Sequence, residues 1–157
     1  MPPKVALTSL RALLVDDDEL FAESLTALLA DESEIDVIGW VSDGADAVDF
    51  VASEHPDIVV MDLAMPRMNG VEAARIISRQ APDTRIILLS GSILGDRLEE
   101  LAGETGAIAY VSKARVAIDL VPVLRAVAAQ SGASLGLSAP PFEGNRTAAT
   151  HKRGSAL

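Results

Sequence analysis

The sequence contains no cysteine, and this absence excludes whole classes of site. Without thiols the chain has neither a disulfide framework nor a thiolate metal centre. The composition suits a reducing compartment, and we expect a cytoplasmic protein. The 157 residues suffice for one domain of ordinary size whose core needs no covalent crosslinks.

Long apolar runs are also missing. No segment approaches the roughly 20 apolar residues that a membrane-spanning helix needs. Residues 1–15 are partly apolar, but Lys4 and Arg11 interrupt them and three aspartates follow, which is a poor pattern for a secretory signal peptide. The sequence therefore predicts a soluble protein that does not associate with membranes.

Basic residues are scarce, since 13 Lys and Arg stand against 23 Asp and Glu, for a formal net charge of -10. Residues 131–157 carry three basic residues and one acidic residue, so the negative charge is concentrated in residues 1–130. An acidic surface repels the phosphate backbone, and direct binding to nucleic acid is not expected.

Five short runs are predicted to be strands. Those that begin at residues 12, 58 and 85 are typical of parallel strands buried on both faces, because they lack the polar alternation of a half-exposed strand, whereas the run at 35–41 is a weaker pattern. A helical spacing of apolar residues follows each run. The runs cover residues 12–15, 35–41, 58–61, 85–89 and 107–111. This alternation predicts an α/β fold, a flavodoxin-like (βα)5 doubly wound parallel sheet with strand order 2-1-3-4-5.

Local patterns predict several helix boundaries. Asp18 is predicted to cap the first helix, and Asp119 the last, with Pro122 in the first turn. The fourth helix, from about residue 94 to 102, is the least regular because glycines surround it. Trp40, near the end of the second strand, is expected to have a packing role.

Composition divides the chain into three parts. Residues 1–10 form a predicted N-terminal extension, residues 11–130 the folded domain, and residues 131–157 a disordered tail. The tail is rich in Ser, Gly, Ala, Pro and Thr and has no hydrophobic periodicity. It lacks the apolar helices and basic residues of a helix-turn-helix.

Reactive side chains follow four of the predicted strands, at their carboxyl ends: Asp16 and Asp17, Asp62, Ser90 and Lys113. If strands 1 and 3 are neighbours, the acids meet where the strand order reverses, which is where open α/β sheets bind ligands. Two carboxylates at about 4 Å repel by roughly 4 kcal/mol at an effective dielectric of about 20. The cluster requires a cation, and its oxygen ligands fit Mg2+.

The same residues predict phosphoryl transfer to Asp62. Its carboxylate would be the nucleophile, Mg2+ and Lys113 would neutralise the phosphoryl oxygens, and Ser90 would bind one of them. Each residue alone has an ordinary explanation as a helix cap, a turn or a solvated lysine. Their joint placement at strand ends favours the functional interpretation.

Residues 11 to about 130 resemble the receiver domain of two-component response regulators. The resemblance rests on four motifs, which are Leu14-Val15-Asp16-Asp17-Asp18, Met61-Asp62-Leu63-Ala64-Met65-Pro66-Arg67-Met68-Asn69-Gly70, Leu89-Ser90-Gly91 and Tyr110-Val111-Ser112-Lys113. It implies a single-domain response regulator of a phosphorelay. The loops resemble receivers usually fused to a helix-turn-helix output domain, which this chain is expected to lack.

The resemblance also implies a role for each residue of the set. Asp62 matches the phosphoacceptor. Asp17 matches the magnesium ligand, Asp16 its partner acting through water, and the main-chain carbonyl of Ala64 the third protein ligand. Ser90 matches the switch hydroxyl, Lys113 the phosphoryl-binding lysine, and Tyr110 the aromatic that reorients with the switch. One departure is Ala114, which stands where many receivers have a cis-proline after the lysine.

The implied phosphodonor is a sensor histidine kinase or a phosphotransfer protein. The downstream protein partner is unknown, and the resemblance allows oligomerisation through the face of the fourth helix, fifth strand and fifth helix.

Two alternatives compete with this interpretation. A pseudo-receiver would bind partners without phosphorylation, but the complete set of acids, hydroxyl and lysine argues against it. A phosphatase of the haloacid dehalogenase type also has a nucleophilic aspartate beside magnesium. Its D-x-D motif needs a second aspartate as acid and base, and here Ala64 occupies that position.

Overall fold

Five parallel strands form one sheet in the order β2-β1-β3-β4-β5 in the computed structural model, which describes residues 9–91, 101 and 103–132. The strands are β1 (Leu10–Val15), β2 (Ile35–Val41), β3 (Ile58–Asp62), β4 (Arg85–Ser90) and β5 (Ala109–Ser112). The predicted fold class and strand order are confirmed. β1 starts one residue before the predicted domain boundary, and β5 lies slightly later than predicted.

Four helices are described in full: α1 (Glu19–Ala30), α2 (Gly44–Glu54), α3 (Gly70–Gln80) and α4 (Val116–Gly132). A 3-10 turn, Lys113–Arg115, joins β5 to α4. Leu101 and residues 103–105 are also helical, whereas most of the predicted fourth helix lies outside the described residues. So do residues 133–157 of the predicted tail and residues 1–8. Within the described residues, no helix is both long and apolar enough to cross a membrane.

The sheet separates two apolar cores, one on each face. Alternate residues of β1 and β3 point to opposite sides, so Leu14 and Val60 lie in one core and Leu13 and Val59 in the other. Helices α1 and α4 cover the first core, and α2 and α3 cover the second. Because both faces of the central strand β3 are buried, its sequence is apolar up to the terminal Asp62, whereas β2 at the sheet edge is only partly buried and includes Asp36.

The predicted caps have different outcomes. Asp18 caps α1 as predicted, since its carboxylate accepts the amide of Phe21 at 3.2 Å. The prediction for Asp119 is wrong, because α4 begins three residues earlier, at Val116. Asp119 instead pairs with Arg115, four residues before it, at 2.9 Å.

Pro122 accordingly lies inside α4 rather than at its predicted place in the first turn. A proline at such a position removes one helical hydrogen bond, to the carbonyl of Ile118. Pro122 is exposed and Ile118 is 63% exposed, so this position lies on the side of the helix that water reaches.

Candidate functional site

Three carboxylates meet at the carboxyl edge of the sheet. β1 and β3 pair in parallel with Val15 opposite Met61, which places the following residues, Asp16 and Asp62, side by side. Asp16 and Asp62 are buried at 1% and 4% exposure, and Asp17 is exposed. Ligand atoms of all three acids lie within 4.8 Å of one another. The strand order thus assembles the acids that the sequence places far apart.

Asp16 is held in place by main-chain contacts. Its own amide donates to the carbonyl of Val41 at 3.1 Å, and its Oδ1 accepts the amide of Asp18 at 2.9 Å. Its carbonyl accepts the indole N–H of Trp40 at 2.9 Å. Trp40 is 40% exposed, so it lies outside the buried core. Its indole serves as a hydrogen-bond donor at the rim of the acidic cluster.

Lys113 joins the two buried acids. Its Nζ lies 2.7 Å from Oδ2 of Asp16 and 3.1 Å from Oδ2 of Asp62. The ammonium also sits over the ring of Phe21, 4.4 Å from the centroid, where the aromatic face favours a cation. The lysine follows directly after β5, and Ala114 in place of proline leaves it in contact with both acids.

Asp62 is the last residue of β3, and the turn after it is tight. Its Oδ1 accepts the amide of Ala64 at 3.2 Å. The amide of Gly70 donates to the carbonyl of Leu63 at 3.0 Å, and a Cβ on Gly70 would collide with the main-chain oxygen of Asp62. Only glycine lets the loop close on itself here. The carbonyl of Ala64 as a metal ligand stays a prediction.

Burial and neighbouring charges set the protonation of the site. Burial raises the pKa of Asp62 above its ordinary 3.8, and the charge of Asp16 adds to this, against the lowering effects of Lys113 and the Ala64 amide. Burial lowers the pKa of Lys113, but its close contacts with the negative charges of Asp16 and Asp62 outweigh this effect, and the net pKa is raised. Lys113 is therefore cationic at neutral pH.

The residues present fit a divalent cation. One ammonium stands against three carboxylates, so the cluster is short of positive charge. Oδ2 of Asp16 is buried and, among the described residues, has no partner with hydrogen-bond geometry, because the 2.7 Å contact with Lys113 is an ion pair of poor alignment. A hard cation bound by oxygen atoms would compensate both deficits.

Ser90 lies on β4, which is next to β3, and Tyr110 lies on β5, the edge strand beyond it. Ser90 ends β4, is 6% exposed, and follows Leu89, which pairs with Asp62. Tyr110 is half-buried on β5, and its hydroxyl lies 2.8 Å from Oγ1 of Thr105. Their predicted roles in switching stay predictions.

Thr105 is a contact that the sequence analysis missed. Its side chain is fully buried, and its Oγ1 lies 2.7 Å from the carbonyl of Leu101, which can only accept. Because a hydroxyl has one hydrogen, Thr105 donates to Leu101 and Tyr110 donates to Thr105. Burial raises the pKa of Tyr110, with a further rise from Glu104, against the lowering effect of Thr105.

Comparison with known proteins decides the family. The family model of the response regulator receiver domain matches residues 12–125. The chain belongs to this family. It is 37% identical over 117 residues to the transcriptional regulatory protein LiaR of Bacillus subtilis (strain 168), covering 74% of this chain and 55% of that protein. It is 36% identical over 118 residues to the response regulator UvrY of Escherichia coli (strain K12), covering 75% and 54%.

A solved receiver structure agrees. The crystal structure of a LuxR-family two-component response regulator from Aurantimonas sp. SI85-9A1 has a TM-score of 0.72 at 31% identity, over 78% of this chain and 87% of that one. This receiver chain spans about half the length of the curated relatives it matches. The shared part is therefore the receiver domain.

Proposed function

We propose that Asp62 is the phosphoacceptor of a two-component phosphorelay and that phosphorylation switches the binding of a protein partner. One observation carries the proposal: Asp16, Asp17 and Asp62 converge within 4.8 Å, and Lys113 is ion-paired with Asp16 and Asp62, in a chain of the receiver family. A carboxylate nucleophile beside a cation site and an ammonium is suited to receive a phosphoryl group.

In the proposed reaction an oxygen of Asp62 attacks the phosphorus of a phosphohistidine. The donor is a sensor histidine kinase or a phosphotransfer protein. The phosphorus–nitrogen bond breaks, and its electron pair leaves with the histidine nitrogen. Lys113, already 3.1 Å from Asp62, would move its ammonium to a phosphoryl oxygen, and the Ser90 hydroxyl would donate to another.

The cation is Mg2+ in this proposal, held by Asp16, Asp17, Asp62 and the main-chain carbonyl of Ala64. When bound it would neutralise charge on the phosphoryl oxygens. The acids provide its oxygen ligands, and Asp16 would act partly through water. The chain's own contribution to catalysis is then to hold these groups in place before the donor arrives.

The proposed signal passes from Ser90 to Tyr110. A phosphoryl group on Asp62 draws the Ser90 hydroxyl towards it, and Tyr110 enters the space that the serine leaves. Tyr110 must first break its hydrogen bond to Thr105. The packing change would alter the face of β5, α4 and the predicted fourth helix, where a downstream protein or a second copy of the chain would bind in the cytoplasm.

Acetyl phosphate, a small phosphodonor, tests the proposal with the full chain. With Mg2+, intact-mass spectrometry should show one added phosphoryl group that hydroxylamine removes, as expected for an acyl phosphate. Asp62→Asn should abolish labelling and a chelator should suppress it. Asp57→Asn, a matched change just before the other end of β3, should leave labelling intact.

Two outcomes would contradict the proposal. Equal labelling of Asp62→Asn would place the phosphoryl group elsewhere. An unlabelled wild type, also with a phosphohistidine donor, would favour the pseudo-receiver alternative.

A further inference from the structure

Arg67 has a backbone conformation that L side chains rarely adopt. Its φ is +66°, in the left-handed region. Among the described non-glycine residues only His55 shares this feature, at the C-cap of α2, where left-handed residues are common. Arg67 has no such reason, because it lies within the loop 63–69 that joins β3 to α3. Surrounding contacts must hold it there.

The contact that holds it is an ion pair with Asp43, the N-cap of α2. One carboxylate oxygen of Asp43 caps the helix by accepting the amide of Asp46 at 2.8 Å. The other oxygen pairs with a guanidinium nitrogen of Arg67. The side chain of Asp43 is only 4% exposed, against 77% for Arg67, so the loop closes over a buried charge.

A second contact joins the same two segments. The amide of Gly44 donates to the carbonyl of Met68 at 3.2 Å. A Cβ on Gly44 would lie 2.7 Å from that carbonyl oxygen, so a larger residue would push the loop away. The far end of the loop is therefore attached to the start of α2 at two consecutive positions, Arg67 and Met68.

The near end of the loop reaches the phosphorylation site. Ala64 donates its amide to Asp62 at 3.2 Å, and Met65 is buried at 8% exposure. Only Met65 and Pro66 separate Ala64 from Arg67, and proline allows little freedom in φ. The position of Arg67 thus constrains the position of the Ala64 main chain.

We propose that Asp43 and Arg67 are positioning residues, whose ion pair sets the path of the β3–α3 loop and so holds the Ala64 main chain against Asp62. This inference rests on the proposed function, because the benefit is to cation binding and phosphorylation. Neither residue touches the reacting groups. They act through Pro66, Met65 and Ala64, because the amide of Ala64 donates to Asp62.

The test compares three substitutions in the full chain. Asp43→Asn keeps the capping oxygen and removes the charge, whereas Arg67→Gly tolerates a positive φ and removes the guanidinium. Arg67→Lys keeps a positive charge. Arg125→Gln on α4, which breaks the ion pair between Arg125 and Glu32, is the control for losing a surface arginine.

Three measurements are made on each variant well below its melting temperature. Mg2+ affinity is followed by the fluorescence of Trp40, the only tryptophan, whose indole is bonded to Asp16. The labelling rate is measured with acetyl phosphate. The amide of Ala64 is followed by NMR in the absence of Mg2+, where its shift reports the hydrogen bond to Asp62.

Asp43→Asn and Arg67→Gly should each weaken Mg2+ binding and labelling by about tenfold, as is typical when a supporting contact of a metal ligand is lost. Both should shift the Ala64 amide, and their double variant should be no worse than either, because they share one ion pair. Arg67→Lys should restore most of the affinity, and Arg125→Gln should match the wild type.

The inference would be overturned if Asp43→Asn and Arg67→Gly had the wild-type Mg2+ affinity, labelling rate and chemical shift of the Ala64 amide. Losses that simply follow a fall in melting temperature would also overturn it. If the wild type itself neither bound Mg2+ nor accepted a phosphoryl group, the proposed function would fail, while the Ala64 shift would still test the loop path separately.

Discussion

Two aspartates flank strand β3 and have opposite surroundings. Just before the strand, Oδ2 of Asp57 accepts the amide of Arg11 at 2.8 Å, and its main chain bonds to Arg11 and Arg85 at 2.9 and 3.0 Å. At the end of the strand, Asp62 accepts one amide, from Ala64, and shares Lys113 with Asp16.

The difference lies in how completely each carboxylate is satisfied by the protein itself. Asp57 ties the starts of three strands together, because its main chain and side chain bond to both neighbours. Asp62 lies beside other acids with one ammonium between them, so its charge is only partly compensated. A ligand that supplies cations and acceptors together, such as a metal-bound phosphoryl group, can complete the contacts at Asp62 but has no role at Asp57.

The largest expected effect comes from removing the ammonium of Lys113, which contacts Asp62 and has no counterpart at Asp57. Lys113→Met should slow labelling by acetyl phosphate by about 100-fold, the usual effect of losing one group that stabilises charge in the transition state. Arg115→Met, two residues away and paired with Asp119, is the matched control and should react at the wild-type rate. Equal rates for the two variants would mean that Lys113 does not contact the phosphoryl group.

The two aspartates should respond in opposite directions when each is replaced by asparagine in the presence of a chelator. Because the folded-state pKa of Asp62 is raised, its contribution to stability is full below about pH 3.8 and is lost as pH rises through the folded pKa. At about pH 7 the ionised group destabilises the fold, so Asp62→Asn should melt higher than the wild type, with the advantage vanishing near pH 4.

Asp57→Asn should instead melt at a lower temperature than the wild type, because a neutral acceptor replaces a charged one at the Arg11 amide. The loss should be about 1 kcal/mol of unfolding free energy. Thermal unfolding from acid to neutral pH measures both variants. Shifts of the same sign at neutral pH would erase the contrast between the two ends of β3.

The smallest expected effect concerns two buried threonines. Thr84, at the amino end of β4, donates to the carbonyl of Pro56 at 3.0 Å, whereas Thr105 accepts from Tyr110. In the proposed switch Tyr110 has two conformations, one bonded to Thr105 and one that fills the space left by Ser90. Thr105→Val should shift the equilibrium towards the second conformation by about fivefold, since one hydrogen bond contributes about 1 kcal/mol. The NMR resonance of Tyr110, the only tyrosine, should move towards the chemical shift seen when a beryllofluoride mimic of the phosphoryl group is bound.

Thr84→Val should lower stability without moving the Tyr110 resonance. If both variants leave that resonance in place, Thr105 does not restrain the tyrosine.

Patterns of neighbouring residues were sufficient for most of the fold. Both faces of the sheet are covered, so β3 could be recognised as an apolar run that ends in Asp62. Asp18 was recognisable as a cap because its bond to the Phe21 amide spans three residues. Asp119 misled because a good capping residue also pairs well with an arginine four residues before it, and sequence spacing does not distinguish the two.

The sequence by itself determined the five-stranded parallel architecture and which side chains end its strands, because burial and periodicity are local properties. Only the tertiary structure decided which partners support them. Trp40 reaches Asp16, and Arg67 reaches Asp43, each across 24 residues. Such contacts depend on strand register and on how close two loops approach, which are set by the packing of the whole sheet.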